Sequence, residues 1–219
     1  MKSNFFVGLI LLLSITNSCT VNCPDDVKIG EIDLAEQSLE FFPYEGKPIL
    51  FFKNELGEEL KFTTEGVISE VNRIAIYKIC TEFKYDGQST YEYYEGKTKA
   101  VVFFDTDNHY AINYGLFTNT LRPEKELFYD KLIVDINAVG SIGRGELITA
   151  IRFSESYDEA EFNLDSPVEL ITEITLNNIT YTQVYQTESY DGRQAYFTKS
   201  QGIVGFIHKG HTYNLDRVE

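Results

Sequence analysis

The sequence predicts a mainly β fold: an antiparallel meander closing as a sandwich or an open or half barrel, with at most one short N-terminal helix. Three observations point to it. Apolar residues recur with period two after Pro43, and turn residues interrupt them about every ten residues. The composition is also rich in strand formers, with 16 Phe and 15 Tyr beside a single Met and no Trp.

The elements follow in chain order. Asp33 and Glu36 have capping-box spacing, and Leu34, Leu39 and Phe42 supply an apolar side before Pro43 stops the helix. Segments 49–53 and 59–63 flank Asn54, Glu55, Leu56 and Gly57 as a first hairpin. Segment 73–84 alternates Ile74, Ile76 and Lys78 with Ala75, Tyr77 and Ile79, and Asp86-Gly87 turns it into 89–94. Glu95-Gly96 reads as another turn, into 99–105, and a strand over 110–117 follows the polar residues 106–109. Segment 121–129, with Pro123 and close-set charges, reads as a loop between two halves. Strands at 132–137 and 147–153 bracket Gly140, Gly143 and Gly145; 168–176 pairs with 179–186 across Asn177-Asn178. A last pair, 194–198 and 203–208, leads through Lys209-Gly210 into 211–215. The reading is one β-rich domain over 31–219, with any division into halves falling near 121–130.

The N-terminus carries a different signal. Lys2 precedes an apolar run from Phe5 to Ile15, and small residues lead to Cys19, the three parts of a secretory leader. That run is well short of the roughly 20 residues a membrane span requires. Residues 1–18 are therefore expected to be a signal peptide and 19–30, polar and broken by Pro24, a flexible tether. Ser18-Cys19 resembles a lipobox, whose cysteine takes diacylglycerol and palmitate and becomes the new N-terminus; Thr16 stands where such a motif usually has Leu. Cysteine parity points the same way. Three cysteines in an oxidising compartment leave one over. With Cys19 lipidated, Cys23 and Cys80 are free to form a disulfide; a buried Cys80 thiol is the alternative.

Charge narrows the partners. The full chain carries −15, and removing residues 1–18 takes away Lys2 and no acid, leaving −16. Such a surface repels phosphate backbones, which excludes nucleic acid as an expected partner, and offers no polybasic patch to anionic lipid.

Chemistry is sparse. Asp105, Asp107 and Asn108 alternate like the start of a calcium loop, but Tyr110 and Leu116 stand where an EF-hand needs its glycine and its bidentate glutamate. His208 and His211 flank a turn without a third ligand, and read as an exposed hairpin tip. Gly140-Ser141-Ile142-Gly143-Arg144-Gly145 lacks both the Gly-Lys-Ser/Thr ending of a phosphate loop and the setting of a nucleophile elbow, and reads as a hairpin loop. Tyr91, Tyr93 and Tyr94 suit sugar stacking and cross-strand packing equally. The sequence assigns no catalytic residue, no metal and no cofactor.

Two segments carry a resemblance. Phe42-Pro43-Tyr44, Leu50-Phe51-Phe52-Lys53-Asn54 and Gly57 near the start, with Ala195-Tyr196-Phe197-Thr198-Lys199, Gly202-Ile203-Val204-Gly205-Phe206 and Gly210 near the end, look like the opening and closing hairpins of flavobacterial-type cell-envelope lipoproteins. That family has no known activity, and the resemblance implies export and lipidation. The expectation is an envelope protein anchored in a membrane by lipid, facing periplasm or cell surface, acting as a non-enzymatic binding or structural module with a protein or small-molecule partner. The alternatives are a periplasmic or surface hydrolase, and a half-barrel carrier of an apolar ligand. An apolar cavity favours the carrier; acids converging in a cleft favour the hydrolase.

Overall fold

The computed structural model describes residues 23–81, 89–107, 109–122, 127–138, 140–152, 168–189 and 194–219. Strands dominate: β1 Val27–Ile32, β2 Leu50–Lys53, β3 Glu59–Thr63, β4 Ile68–Thr81, β5 Ser89–Asp105, β6 Ala111–Arg122, β7 Leu127–Ala138, β8 Gly140–Arg152, β9 Val168–Leu176, β10 Ile179–Thr187, β11 Gln194–Thr198, β12 Gly202–His208 and β13 His211–Val218. A single helical turn, α1 Glu36–Leu39, lies between β1 and β2. The sheet runs β8-β7-β6-β5-β3-β2-β13-β12-β11-β10-β9, and β1 and β4 join β5 off that path. Only β1 pairs in parallel among the described strands. The antiparallel meander is thus as expected, and it coils into a nearly closed barrel.

Tight turns set its register. Asn177 and Asn178 hold positive φ (46° and 69°), as do Lys209 and Gly210 (51° and 80°), the two-residue geometry whose twist matches the flanking strands. Where the two ends of the sheet approach each other, Gly145 faces β9 and β10. A Cβ there would stand 2.7 Å from Val168 and 2.9 Å from Thr187, so the glycine permits the approach. The run from Gly140 to Gly145 is consequently strand, not the loop expected.

The interior is filled by the chain's own lead-in. After α1, Phe41, Phe42 and Tyr44 enter the barrel and meet Tyr114, Phe103 and Tyr185 edge-on, with ring centroids 5.1 to 5.8 Å apart. The Tyr44 hydroxyl accepts the Ile203 N–H at 2.9 Å, and the Tyr114 hydroxyl donates to the Phe41 carbonyl at 2.7 Å. Burial pushes the ionisation of both phenols upward.

The capping box does not form. Ala35 occupies the N-cap, and its N–H donates to the fully buried Asp130 carboxylate at 2.7 Å, while Asp33 pairs with Lys97 at 2.8 Å. Asp130 also accepts the Thr118 hydroxyl at 3.1 Å, so one acid on β7 fastens the lead-in to the sheet.

Three further expectations are corrected. Glu95-Gly96 is no turn, because β5 runs unbroken from Ser89 to Asp105. Gly96 is there for space: a Cβ would lie 2.6 Å from Ile74 and 3.1 Å from Thr118. Segment 121–129, expected as a loop, is strand at both ends: β6 and β7 pair from Ala111 opposite Asn137 to Arg122 opposite Leu127, and residues 123–126 lie outside the described residues. Residues 27–30 of the expected tether belong to β1. No helix among the described residues is long and apolar enough to cross a membrane.

Candidate functional site

The first half of β5 leaves the barrel and becomes the middle strand of a three-stranded arm. β4 flanks it antiparallel from Ile68 opposite Ala100 to Thr81 opposite Ser89, and β1 flanks it in parallel from Val27 opposite Glu92 to Ile32 opposite Gly96. At about 3.4 Å per residue, the fourteen residues of β4 span roughly 45 Å.

The far end of the arm is closed covalently. Cys23 and Cys80 form a disulfide, with Cα atoms 5.5 Å apart. Beside it the Asp26 carboxylate accepts the Tyr91 N–H at 3.0 Å and pairs with the Arg73 guanidinium at 3.0 Å, so one side chain of the lead-in bridges both strands of the β4–β5 ribbon. Lys28 on β1 bonds Glu31 and Glu95, which raises the Lys28 ammonium above its ordinary range and lowers the Glu31 carboxyl. Cys19, the expected lipidation residue, lies outside the described residues, four positions before Cys23.

At the arm's root, a cleft of about 630 Å³ opens between the lead-in and the ribbon, walled by Leu34, Leu39 and Val71 and edged by Lys97 and Lys99. Both cations have occupation within the fold: Lys97 pairs with Asp33, and Lys99 lies over the Phe42 ring at 4.7 Å.

The other residues singled out in the sequence are mostly structural. The buried Asp105 accepts the Tyr110 N–H at 2.7 Å, closing the β5–β6 turn; Asp107 and His109 stand close enough to it that ligand atoms of all three lie within 4.8 Å. Asn108 is outside the described residues. Sequence reading missed His109, whose alternation with the two acids was the available signal. His208 and His211 face each other across β12 and β13, but they are not both exposed. His208 is buried edge-on against Tyr110, with centroids 5.3 Å apart, whereas His211 bonds Glu55 at 2.6 Å. A hydrogen bond from its own backbone and the one from His211 hold the Glu55 carboxyl below its usual value. Tyr94 packs on Phe128 at 5.0 Å and Tyr93 lies under the Arg73 guanidinium at 4.8 Å, so two of the three tyrosines considered for sugar stacking are arm and root packing.

Asp26 and Asp130 were not read as important. Asp130 had a signal: it shares strand parity with Phe128, Leu132, Val134 and Ile136, all buried, so an acid at that position must be bonded. Asp26 had none, since its role depends on the disulfide beside it.

Searches against family models, curated proteins and solved structures find no match for the chain.

Proposed function

We propose that the chain is exported, lipid-anchored through Cys19, and works in the cell envelope as a non-enzymatic binding or structural module. The observation that carries this reading is the Cys23–Cys80 disulfide. A bond of this kind persists in oxidising compartments, and it uses the two cysteines that lipidation of Cys19 leaves over. The leader-like start, the Ser18-Cys19 pair and the resemblance to flavobacterial-type envelope lipoproteins support it independently.

The interior weighs against the carrier. Phe41, Phe42 and Tyr44 occupy the space in which an apolar ligand would sit. The perturbed titrating groups weigh against the hydrolase: among the described residues they are tyrosines raised by burial and surface groups in ion pairs, such as Glu59 with Arg217 and Asp216 with Lys53. A binding module needs neither a cavity nor an acid–base pair, and its contacts lie on the arm and the barrel's outer face.

Growth with a radiolabelled fatty acid tests the anchor. Wild-type protein takes up label and Cys19→Ala does not; unlabelled wild-type protein would mean an ordinary secreted domain.

A further inference from the structure

The arm exposes more apolar surface than its packing requires. Near its closed end Val27 is 46 %, Ile29 39 %, Tyr77 48 % and Ile79 40 % exposed. Val27 and Tyr77 flank the same residue of β5, Glu92, and therefore share one rung across the three strands. Ile29 and Ile79 are the additional residues where register slips between Lys28 and Gly30 and between Lys78 and Cys80, and a third isoleucine, Ile76, sits at the slip between Ala75 and Tyr77. Ile68 and Val71 are exposed at the root of β4 as well, so apolar side chains run outward along the arm and include the end where the disulfide lies.

We infer that this end of the arm docks on the phospholipid bilayer, seating Val27, Ile29, Tyr77 and Ile79 at the headgroup boundary. The inference rests on the lipid anchor proposed above. Three observations select this occupant. First, the chain enters the structure here: Cys23 lies four positions after Cys19, and four residues reach at most about 14 Å, so a lipid on Cys19 brings the disulfide to the membrane surface. Second, irregularities on both outer strands twist the two free edges, which disfavours addition of a strand from another chain. Third, among the described residues at this end Lys28 pairs with Glu31 and Glu95 and Arg73 with Asp26, while Glu92 stands between Val27 and Tyr77, so the arm offers no basic patch and suits a zwitterionic surface over an anionic one. The strongly negative charge of the whole chain opposes anionic lipid. Tyrosine suits the boundary, with an apolar ring and a hydroxyl that stays wet. The barrel is then held off the membrane by the arm.

The natural absence of tryptophan makes the test direct. Protein expressed from the whole 219-residue sequence and carrying Tyr77→Trp, or Leu56→Trp in the exposed β2–β3 loop, is purified and mixed with phosphatidylcholine vesicles with brominated acyl chains. Docking predicts that the vesicles carry both variants on flotation, that Tyr77→Trp emission is blue-shifted and quenched several-fold more than Leu56→Trp, and that adding Val27→Asp relieves the quenching. Flotation with equal, weak quenching of both reporters overturns the docking and leaves the anchor standing. Failure to float overturns the anchor, and the docking with it.

Discussion

The barrel and the arm are built from the same kind of strand but are held together differently. In the barrel, interior residues meet one another from all sides: Phe52 lies 5.6 Å from Phe62 and 5.3 Å from Phe206, and the lead-in rings fill the remaining space. In the arm, β4 has Ile74 as its one buried side chain among fourteen residues, and cohesion comes from the sheet ladder, the disulfide, Asp26 and surface ion pairs. Burial of apolar area is worth far more than exposed ion pairs, so the barrel has a thermodynamic core and the arm has a covalent clasp. The proposed docking accounts for apolar side chains kept outward on a region that something other than a core holds in shape.

The contrast can be broken from either side. The largest expected effect is in the barrel, where Phe52→Ala leaves a cavity among packed rings and should cost about 3–5 kcal/mol in denaturant unfolding. Next comes the clasp. Cross-linking residues 57 apart contributes at most about 4 kcal/mol by loop-closure entropy. If the arm frays independently, Cys80→Ser raises amide exchange in β1 and the outer half of β4 while the barrel's melting barely moves; a fall of the full amount would make arm and barrel one cooperative unit.

Asp130→Ala tests the link between lead-in and barrel. It strands the Ala35 N–H and the Thr118 hydroxyl, at about 1–3 kcal/mol, with faster exchange over residues 35–42 as its local signature. Gly96→Ala probes the root of the arm, where the added methyl meets Ile74 and Thr118, for a similar loss of about 1–3 kcal/mol.

Acid should have the smallest effect. The Arg217 hydrogen bond lowers Glu59, Lys53 and then Arg217 lower Asp216, and Lys28 lowers Glu31. Each contributes stability that is complete above its ordinary value, 4.5 for the glutamates and 3.8 for the aspartate, and is lost as pH falls through the lower folded value. All three are exposed, so the decline in thermal stability below about pH 4 is shallow and flattens further in salt. Tyr44 and Tyr114 act at the other extreme. Their neutral forms are favoured by burial, so their contribution is intact below 10.0 and is lost as pH rises through the higher folded values.

Period two and turn chemistry made most of the barrel legible: Asn177-Asn178, Lys209-Gly210 and the 54–57 loop all turn where their residues indicate. Glycine misled wherever it served space instead of curvature. Gly96 and Gly145 resemble turn residues locally, and only neighbours distant in sequence, Thr118 for one and Val168 and Thr187 for the other, reveal their purpose. The cap of α1 failed for the same reason, since Asp130, 95 positions from Ala35, takes that residue's N–H while Lys97 draws Asp33 away. The arm was legible only as a strand pair, 73–84 with 89–94, and as a candidate Cys23–Cys80 link. Its strands have the period of any ribbon, and nothing local says that β5 outruns the barrel, that β1 lies parallel to it, or that Asp26 will meet Tyr91.

The central claim is that one short stretch carries both the lipid and the clasp. Trypsin can test it in a single species, because cutting after Lys28, Lys78 and Lys84 leaves residues 19–28 joined through the disulfide to residues 79–84. Mass spectrometry of non-reduced protein from membranes should find that pair together, with diacylglycerol and a fatty acid on Cys19, and reduction should separate the two. A free thiol on Cys80, or a chain still carrying residues 1–18 with Cys19 unmodified, would contradict the account.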